Sequence, residues 1–346
     1  MDCVENLIVG AGPAGLRAAQ VLAEAGREAV VLEKNSQVGP KTCGGGLSVK
    51  AVRELRALGL PADAGLTSVA HASFRGEPAA ALDPEHARIV TLSRERLGRY
   101  QAEWAAAAGA DVRIGTAVTR IDFAGRTVSY DGGALRYRNL IGADGSGSMV
   151  RRALGLDTPR AFFAGEYNVP GRRELPLHIA FQSDVLASGY FWVFPHETHV
   201  CIGAGAHKRK VRPSSIRPFI ERRMAELGID PGGTPYEGAT VEVDFRGFHF
   251  PGGVHLVGDA AGTPSGLTAE GIYAALVTGE EVARCILEPG FPMPKTRHWL
   301  RVKRSHDRVG RVWLRRAPRE LSLAAMPALC RRDPSRRWIS AYFLET

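Results

Sequence analysis

The stretch Val4-Glu5-Asn6-Leu7-Ile8-Val9-Gly10-Ala11-Gly12-Pro13-Ala14-Gly15 decides the fold. Residues 4–10 read as a buried strand. Residues 14–25 read as a helix with an apolar face of Ala14, Leu16, Ala18, Ala19, Val21, Leu22 and Ala25. Gly26 stops that helix, and Ala29-Val30-Val31-Leu32-Glu33 reads as a second buried strand. Strand, helix and strand within about 30 residues make a βαβ unit with a right-handed crossover. The glycines divide the labour of a dinucleotide site. Gly10 permits the tight turn, Gly12 lets a pyrophosphate approach the backbone, and Gly15 lets helix and strand pack closely. Pro13 and Ala14 open the helix, whose free N–H groups and positive dipole end suit phosphates. Glu33 stands 18 residues after Gly15, placed to accept hydrogen bonds from an adenosine ribose, with Lys34 beside it. A lone G-x-G-x-x-G is weak, but here the whole flanking pattern is present.

Composition sets the frame around this unit. At roughly 150 residues per domain, a chain of 346 residues suggests two domains. Apolar residues at 45% and charged residues at 23% match a globular protein and exclude disorder. The formal charge is +9, yet Lys295 to Arg337 alone carries 14 basic and three acidic residues, a net of +11. The body is therefore slightly acidic, and a whole-protein case for nucleic acid fails. No apolar run reaches the ~18 residues of a membrane span. The five cysteines (3, 43, 201, 285 and 330) are scattered, with no disulfide framework and no metal spacing. His196 and His199 flank a turn and suggest no metal either. The expected setting is a reducing cytoplasm.

Further along, residues 49–59 and 95–108 read as helices. Residues 112–114, 126–130 and 135–143 read as strands, with a hairpin turn at Asp131-Gly132-Gly133. From 160 to 205 short β segments follow one another. Residues 240–250 read as β-like, 254–257 as a buried strand, 267–287 as a helix and 296–316 as a basic helix. Leu256-Val257-Gly258-Asp259 ends that buried strand on an acid that can hold a polyol chain. A helix start near Gly266-Leu267-Thr268 would face an anion, such as the N1 and C2=O region of a reduced flavin.

These motifs, with Gly142-Ala143-Asp144-Gly145 between them, resemble the FAD-dependent oxidoreductases of the para-hydroxybenzoate hydroxylase type. The resemblance spans residues 4–287. It implies that the first motif holds the ADP part, that Gly258 and Asp259 hold the ribityl chain, and that Asp144 lies near the pyrophosphate. It also implies that Arg94 contacts FAD. No second G-x-G-x-x-G is present, so no separate nicotinamide domain is expected.

Two more stretches narrow the resemblance to the geranylgeranyl reductase family. They are Lys41-Thr42-Cys43-Gly44-Gly45-Gly46 and Tyr190-Phe191-Trp192-Val193-Phe194-Pro195. The family reduces isolated C=C bonds in polyprenyl chains of lipids, chlorophyll or quinones. On a strand, Tyr190, Trp192 and Phe194 share one face, and with Pro195 they are expected to line an apolar slot for a prenyl tail. An isolated alkene needs hydride from flavin N5 on one carbon and a proton on the other. Cys43 and Tyr190 are the candidate catalytic residues. The Cys43 thiol either donates a proton or packs against the flavin, where Gly44 and Gly45 allow close approach. Tyr190 either donates through its phenol or is a structural aromatic. The family usually has Gly where this chain has Ala269, so the loop facing the flavin is expected to take a different shape.

The architecture expected is therefore α/β. A discontinuous Rossmann-type FAD-binding domain spans 1–65, 90–158 and 245–290. A β-sheet-rich substrate domain spans 66–89 and 159–244, and a basic helical segment spans 291–346. In that segment Trp299, Val302, Val309 and Trp313 follow helical spacing. The stripe either packs on the protein or lies on anionic lipid at the inner face of the membrane, which would suit lipid biosynthesis. The cofactor expected is FAD, and the electron donor is left among NAD(P)H, ferredoxin and a quinol. One rival is an FAD-dependent monooxygenase acting on an aromatic or other apolar small molecule. A second is a non-catalytic FAD protein that binds prenyl lipid.

Overall fold

A computed structural model describes residues 2–77 and 80–345. Met1, Pro78, Ala79 and Thr346 fall within the ranges assigned above and lie outside the described residues. The first motif forms as its residues dictate. Strand Cys3–Val9 pairs in parallel with Ala29–Leu32 on one side and Gly133–Gly142 on the other. A strand flanked this way is covered on both faces, which is why Leu7, Ile8 and Val9 run apolar without alternation. The sheet continues outward through Asp111–Arg113 at one edge and Val254–Leu256 and His249–Phe250 at the other. Helix Pro13–Glu24 lies against it. A Cβ on Gly15 would stand 2.0 Å from the Gly10 carbonyl oxygen, so only glycine lets this helix sit so near its strand.

A second sheet of seven strands runs in the order Glu237–Glu242, Ala161–Pro170, His199–His207, Tyr190–Pro195, His178–Phe181, His71–Phe74, Ala80–Ala81. Its back is covered by helix Ile216–Glu226, whose Phe219, Ile220 and Met224 pack with Phe191, Val193 and Ile202. The alternation of the strand then turns Tyr190, Trp192 and Phe194 to the opposite face. A small third sheet joins Gly46–Leu47, Arg88–Thr91 and Leu66–Val69.

Two sequence expectations need correction. Residues 240–250 are not one β segment: Glu237–Glu242 and His249–Phe250 are separate strands. Between them the buried Arg151 guanidinium donates to the backbone oxygens of Asp244 and Ala260, so a side chain takes the place of a ladder partner. The helix expected from residue 267 begins at Ile272. Ser265 intervenes, because its Oγ accepts the N–H groups of Leu267 and Thr268 and folds residues 265–270 into a tight turn. The basic helix runs over Pro294–Trp313 and is followed by helices Arg316–Cys330 and Asp333–Ser340.

The stripe on that first C-terminal helix faces protein, not lipid. Trp299 is 0% exposed and Trp313 is buried, while Val302 and Val309 pack partly against the core. Trp299 Nε1–H donates to the Thr263 oxygen at 2.9 Å, and the Lys303 ammonium donates to the Val243 and Pro264 oxygens. Arg301, Arg304, Arg308 and Arg311 are left in solvent. Among the described residues no helix is long and apolar enough to cross a membrane.

The loop at 265–271 keeps the backbone that glycine would favour. Ala269 sits at φ +55°, in the left-handed region, with its N–H donating to the Ser265 oxygen. A Cβ there costs roughly 1–2 kcal/mol. Ala269→Gly is therefore expected to stabilise the fold by about 1 kcal/mol, read as a rise in denaturant midpoint at constant slope. A fall in midpoint would mean that the turn is not held left-handed.

Candidate active site

The nucleotide end is built from the first sheet's strand ends. Glu33 accepts the Ala11 N–H on Oε2 at 2.8 Å and the Asn35 N–H on Oε1 at 2.9 Å. Each oxygen keeps a lone pair, so ribose hydroxyls can still be accepted. Lys34 is exposed beside it. A Cβ on Gly12 would meet nothing within 4 Å, so the turn opens onto free space where a pyrophosphate belongs. Arg94, at the start of helix Arg94–Ala107, is buried and lines the adjoining cavity, and its Nε has no hydrogen-bond partner. An orphaned buried donor of this kind calls for an anionic or carbonyl ligand. These features fit FAD.

Asp144 and Asp259 are tied up differently from each other. The Asp144 backbone abuts the Gly10 turn, but its carboxylate accepts Ser148 Oγ and the Met149 N–H. It satisfies the first N–H groups of helix Met149–Ala153, whose N-cap is Ser148. Asp259 follows Gly258 at the end of strand Val254–Leu256 and lines the cavity, paired with Lys41 Nζ at 2.9 Å.

From this end one cavity runs along the face of the second sheet that carries Tyr190, Trp192 and Phe194. Pro13, Arg94 and Asp259 mark one end, Cys43 and Gly44 the middle, and Phe74, Phe181 and Phe343 the apolar end. Tyr190, Trp192 and Phe194 form a wall, as their spacing predicts. Pro195 does not reach the cavity, and its oxygen accepts Thr91 Oγ1. The glycines of the Cys-Gly-Gly-Gly stretch also line the cavity, but their smallness serves the aromatic wall. A Cβ on Gly44 would stand 3.0 Å from Phe194, and one on Gly46 2.7 Å from the same ring. Gly45 is left-handed at φ +69°, and a Cβ there would press on the Leu92 oxygen and on His196. Burial lowers the His196 pKa to about 4, so the ring is neutral and donates Nε2–H to the Gly44 oxygen at 3.0 Å. The two motifs are thus one packed unit.

The loop after Asp259 closes the cavity through Leu267, Thr268 and Glu270. Gly266 faces the other way: its N–H donates to Asp307 Oδ1 at 3.1 Å on helix Pro294–Trp313. The helix starts at Ile272, so its N-terminal dipole stands at Gly271 and Ile272 on the cavity wall and not at 266–268. Tyr190 is not a free proton donor. Its O–H is given to the Thr268 oxygen at 2.6 Å, and burial pushes the phenol pKa well up.

Sequence reading missed two carboxyl groups. Glu270 accepts Ser48 Oγ at 2.5 Å and pairs with Lys50 at 2.9 Å. Glu166, on strand Ala161–Pro170, accepts the Cys43 N–H at 2.7 Å. Its signal was a lone acid sharing one face with Phe162 and Ala164 in an otherwise apolar run.

The comparisons agree with this geometry. A family model for an FAD binding domain matches residues 3–214. Digeranylgeranylglycerophospholipid reductase 1 of Methanopyrus kandleri is 30% identical over 82% of this chain and 80% of that one. Menaquinone reductase of Mycolicibacterium smegmatis is 30% identical over 82% and 76%. The crystal structure of a geranylgeranyl bacteriochlorophyll reductase-like protein from Thermoplasma acidophilum shares the fold, with a TM-score of 0.75 at 23% identity. That match covers 100% of this chain and 92% of the other.

The open space at Gly12 yields a separating test. Gly12→Val places its Cβ where no protein atom lies within 4 Å, so the chain is expected to fold with unchanged helix content. The flavin absorbance of the purified protein is expected to vanish. Retained FAD would place the pyrophosphate elsewhere.

Proposed function

Because the chain belongs to the geranylgeranyl reductase family of FAD-dependent oxidoreductases, we propose that its cavity takes a polyprenyl tail and saturates C=C bonds in it. One observation carries this: a single cavity joins the nucleotide end at Pro13, Arg94 and Asp259 to an apolar end at Phe74, Phe181 and Phe343. The relatives' names, a digeranylgeranylglycerophospholipid reductase and a menaquinone reductase, support a prenyl-chain substrate. Bound FAD supplies the hydride. The chain's own part is to hold the alkene and exclude water. Tyr190, Trp192 and Phe194 give the tail a flat apolar wall, and the 265–271 loop covers it. Electrons reach the cofactor from NAD(P)H, ferredoxin or a quinol. Dithionite reduction without oxygen, followed by incubation with geranylgeranyl lipids, is expected to add pairs of hydrogens, read by mass. Unchanged lipids over a flavin that stays reduced would count against the reading and favour the oxygen-using alternative.

The substrate's setting bears on location. Leu321 is 76% exposed and Trp338 64% exposed on the last two helices, among Arg315, Arg316, Arg331 and Arg332. Exposed apolar groups among cations suit an anionic lipid surface, and this placement replaces the buried Trp299 stripe as the contact. Sedimentation with anionic vesicles is expected at low salt and to weaken at high salt. Leu321→Glu is expected to reduce it further, and no binding at low salt would end the idea.

A further inference from the structure

Glu166 lies midway along strand Ala161–Pro170, is 1% exposed, and reaches the cavity beside Cys43. Four groups from the elements around it face its carboxyl. Cys43 N–H donates to Oε1 at 2.7 Å, and Cys201 on strand His199–His207 places its thiol 3.5 Å from Oε2. Asn168 on its own strand and Glu237 on strand Glu237–Glu242 complete the set. None is a cation, and among the described residues no ion pair to Glu166 is formed. Glu270, the other carboxyl in the cavity, has Lys50. A buried carboxyl without a counter-charge keeps its proton. Burial, reinforced by Glu237, raises the Glu166 pKa to about 7. With Oε1 taken by the Cys43 N–H and the Asn168 side chain also hydrogen-bonded to the carboxyl, the acid hydrogen belongs on Oε2, the oxygen that the Cys201 thiol reaches at 3.5 Å.

Of the two donors expected from sequence, the Cys43 thiol lines the same cavity and Tyr190 is already committed. Tyr190 gives its hydrogen to the Thr268 oxygen. We infer that Glu166 is the acid that protonates the alkene, a role that rests on the reductase reading. The C=C π bond breaks and two C–H bonds form. One takes the hydride that reduced FAD supplies, and the other takes the Glu166 proton. The alkene is reduced, the flavin is oxidised, and Glu166 is left as a carboxylate that regains its proton from water between turnovers. The Cys43 backbone orients this acid, so the Cys-Gly-Gly-Gly stretch serves proton transfer through its peptide N–H.

Infrared spectra of the holoprotein, subtracting Glu166→Gln from wild type, provide a readout that needs no substrate. A neutral carboxylic acid carbonyl band is expected below neutrality, fading as pH rises through about 7. In the dithionite-driven assay Glu166→Gln is expected to keep its FAD and to lose about 100-fold or more in rate. The wild-type rate is expected to fall above neutrality, a limb that flattens in the variant. If Glu166→Gln fails to bind FAD, Glu166→Asp carries the test, and it is expected to keep the band and part of the rate. Wild-type reduction with no band, or a glutamine variant at near wild-type rate, overturns the role alone. A titrating band with no reduction by the wild type overturns the reductase reading, and the role falls with it.

Discussion

One buried ammonium ties the molecule's parts together. Lys303 Nζ, on helix Pro294–Trp313, donates to the Val243 oxygen just beyond strand Glu237–Glu242, to the Pro264 oxygen in the loop after Asp259, and to Asp307. Asp307 in turn accepts the Gly266 N–H and pairs with Arg160 at the start of strand Ala161–Pro170. Burial lowers the Lys303 pKa to about 8, and Asp307 works against that fall. An unpaired charge at this depth would be expensive, so each partner holds the others in place. His306 adds to the frame: its Nδ1 accepts Ser265 Oγ, and its Nε2–H donates to the Tyr342 oxygen. The loop covering the cavity is therefore shaped by a helix outside both large sheets.

This explains which parts of the sequence were readable. The strand, turn and helix of residues 3–24 depend on local pattern and on glycines within the unit, and they form as expected. The aromatic face at 190–194 follows from strand alternation alone. Residues 267–271 were misread because their fate is set by Ser265 and by a helix some forty residues later. Periodicity showed that Trp299 and Trp313 share a face, but not what covers it. The partners, Thr263 and Phe181, are remote in sequence. Glu166 was hidden for a similar reason. Its importance comes from what it lacks, a cation, and only the folded neighbourhood reveals that.

The two stretches that suggested a prenyl reductase turn out to be halves of one contact. Large rings at 192 and 194 require small residues at 44 and 46, because a single methyl on either glycine would crowd Phe194. On the neighbouring strand, a Cβ on Gly203 would stand 2.3 Å from the Trp192 ring. The indole is thus accommodated on both sides by missing side chains, and its N–H rests on the Cys201 thiol. Close packing at the wall leaves the open volume on the other face, where a tail can lie.

The apolar end is finished by Ile339, Phe343 and Leu344, which belong to neither large sheet. Polar ties hold them, among them Ser340 Oγ accepting the Asp83 N–H and the Tyr342 oxygen accepting His306. Such a floor acts as a ruler. Trading one bulky residue there for a smaller one deepens the slot by a bond or two, while the nucleotide end and the acid beside Cys43 stay as they are. On the proposed reading, the length of tail admitted and the chemistry done on it would be set by separate parts of the chain, so that one could change without the other.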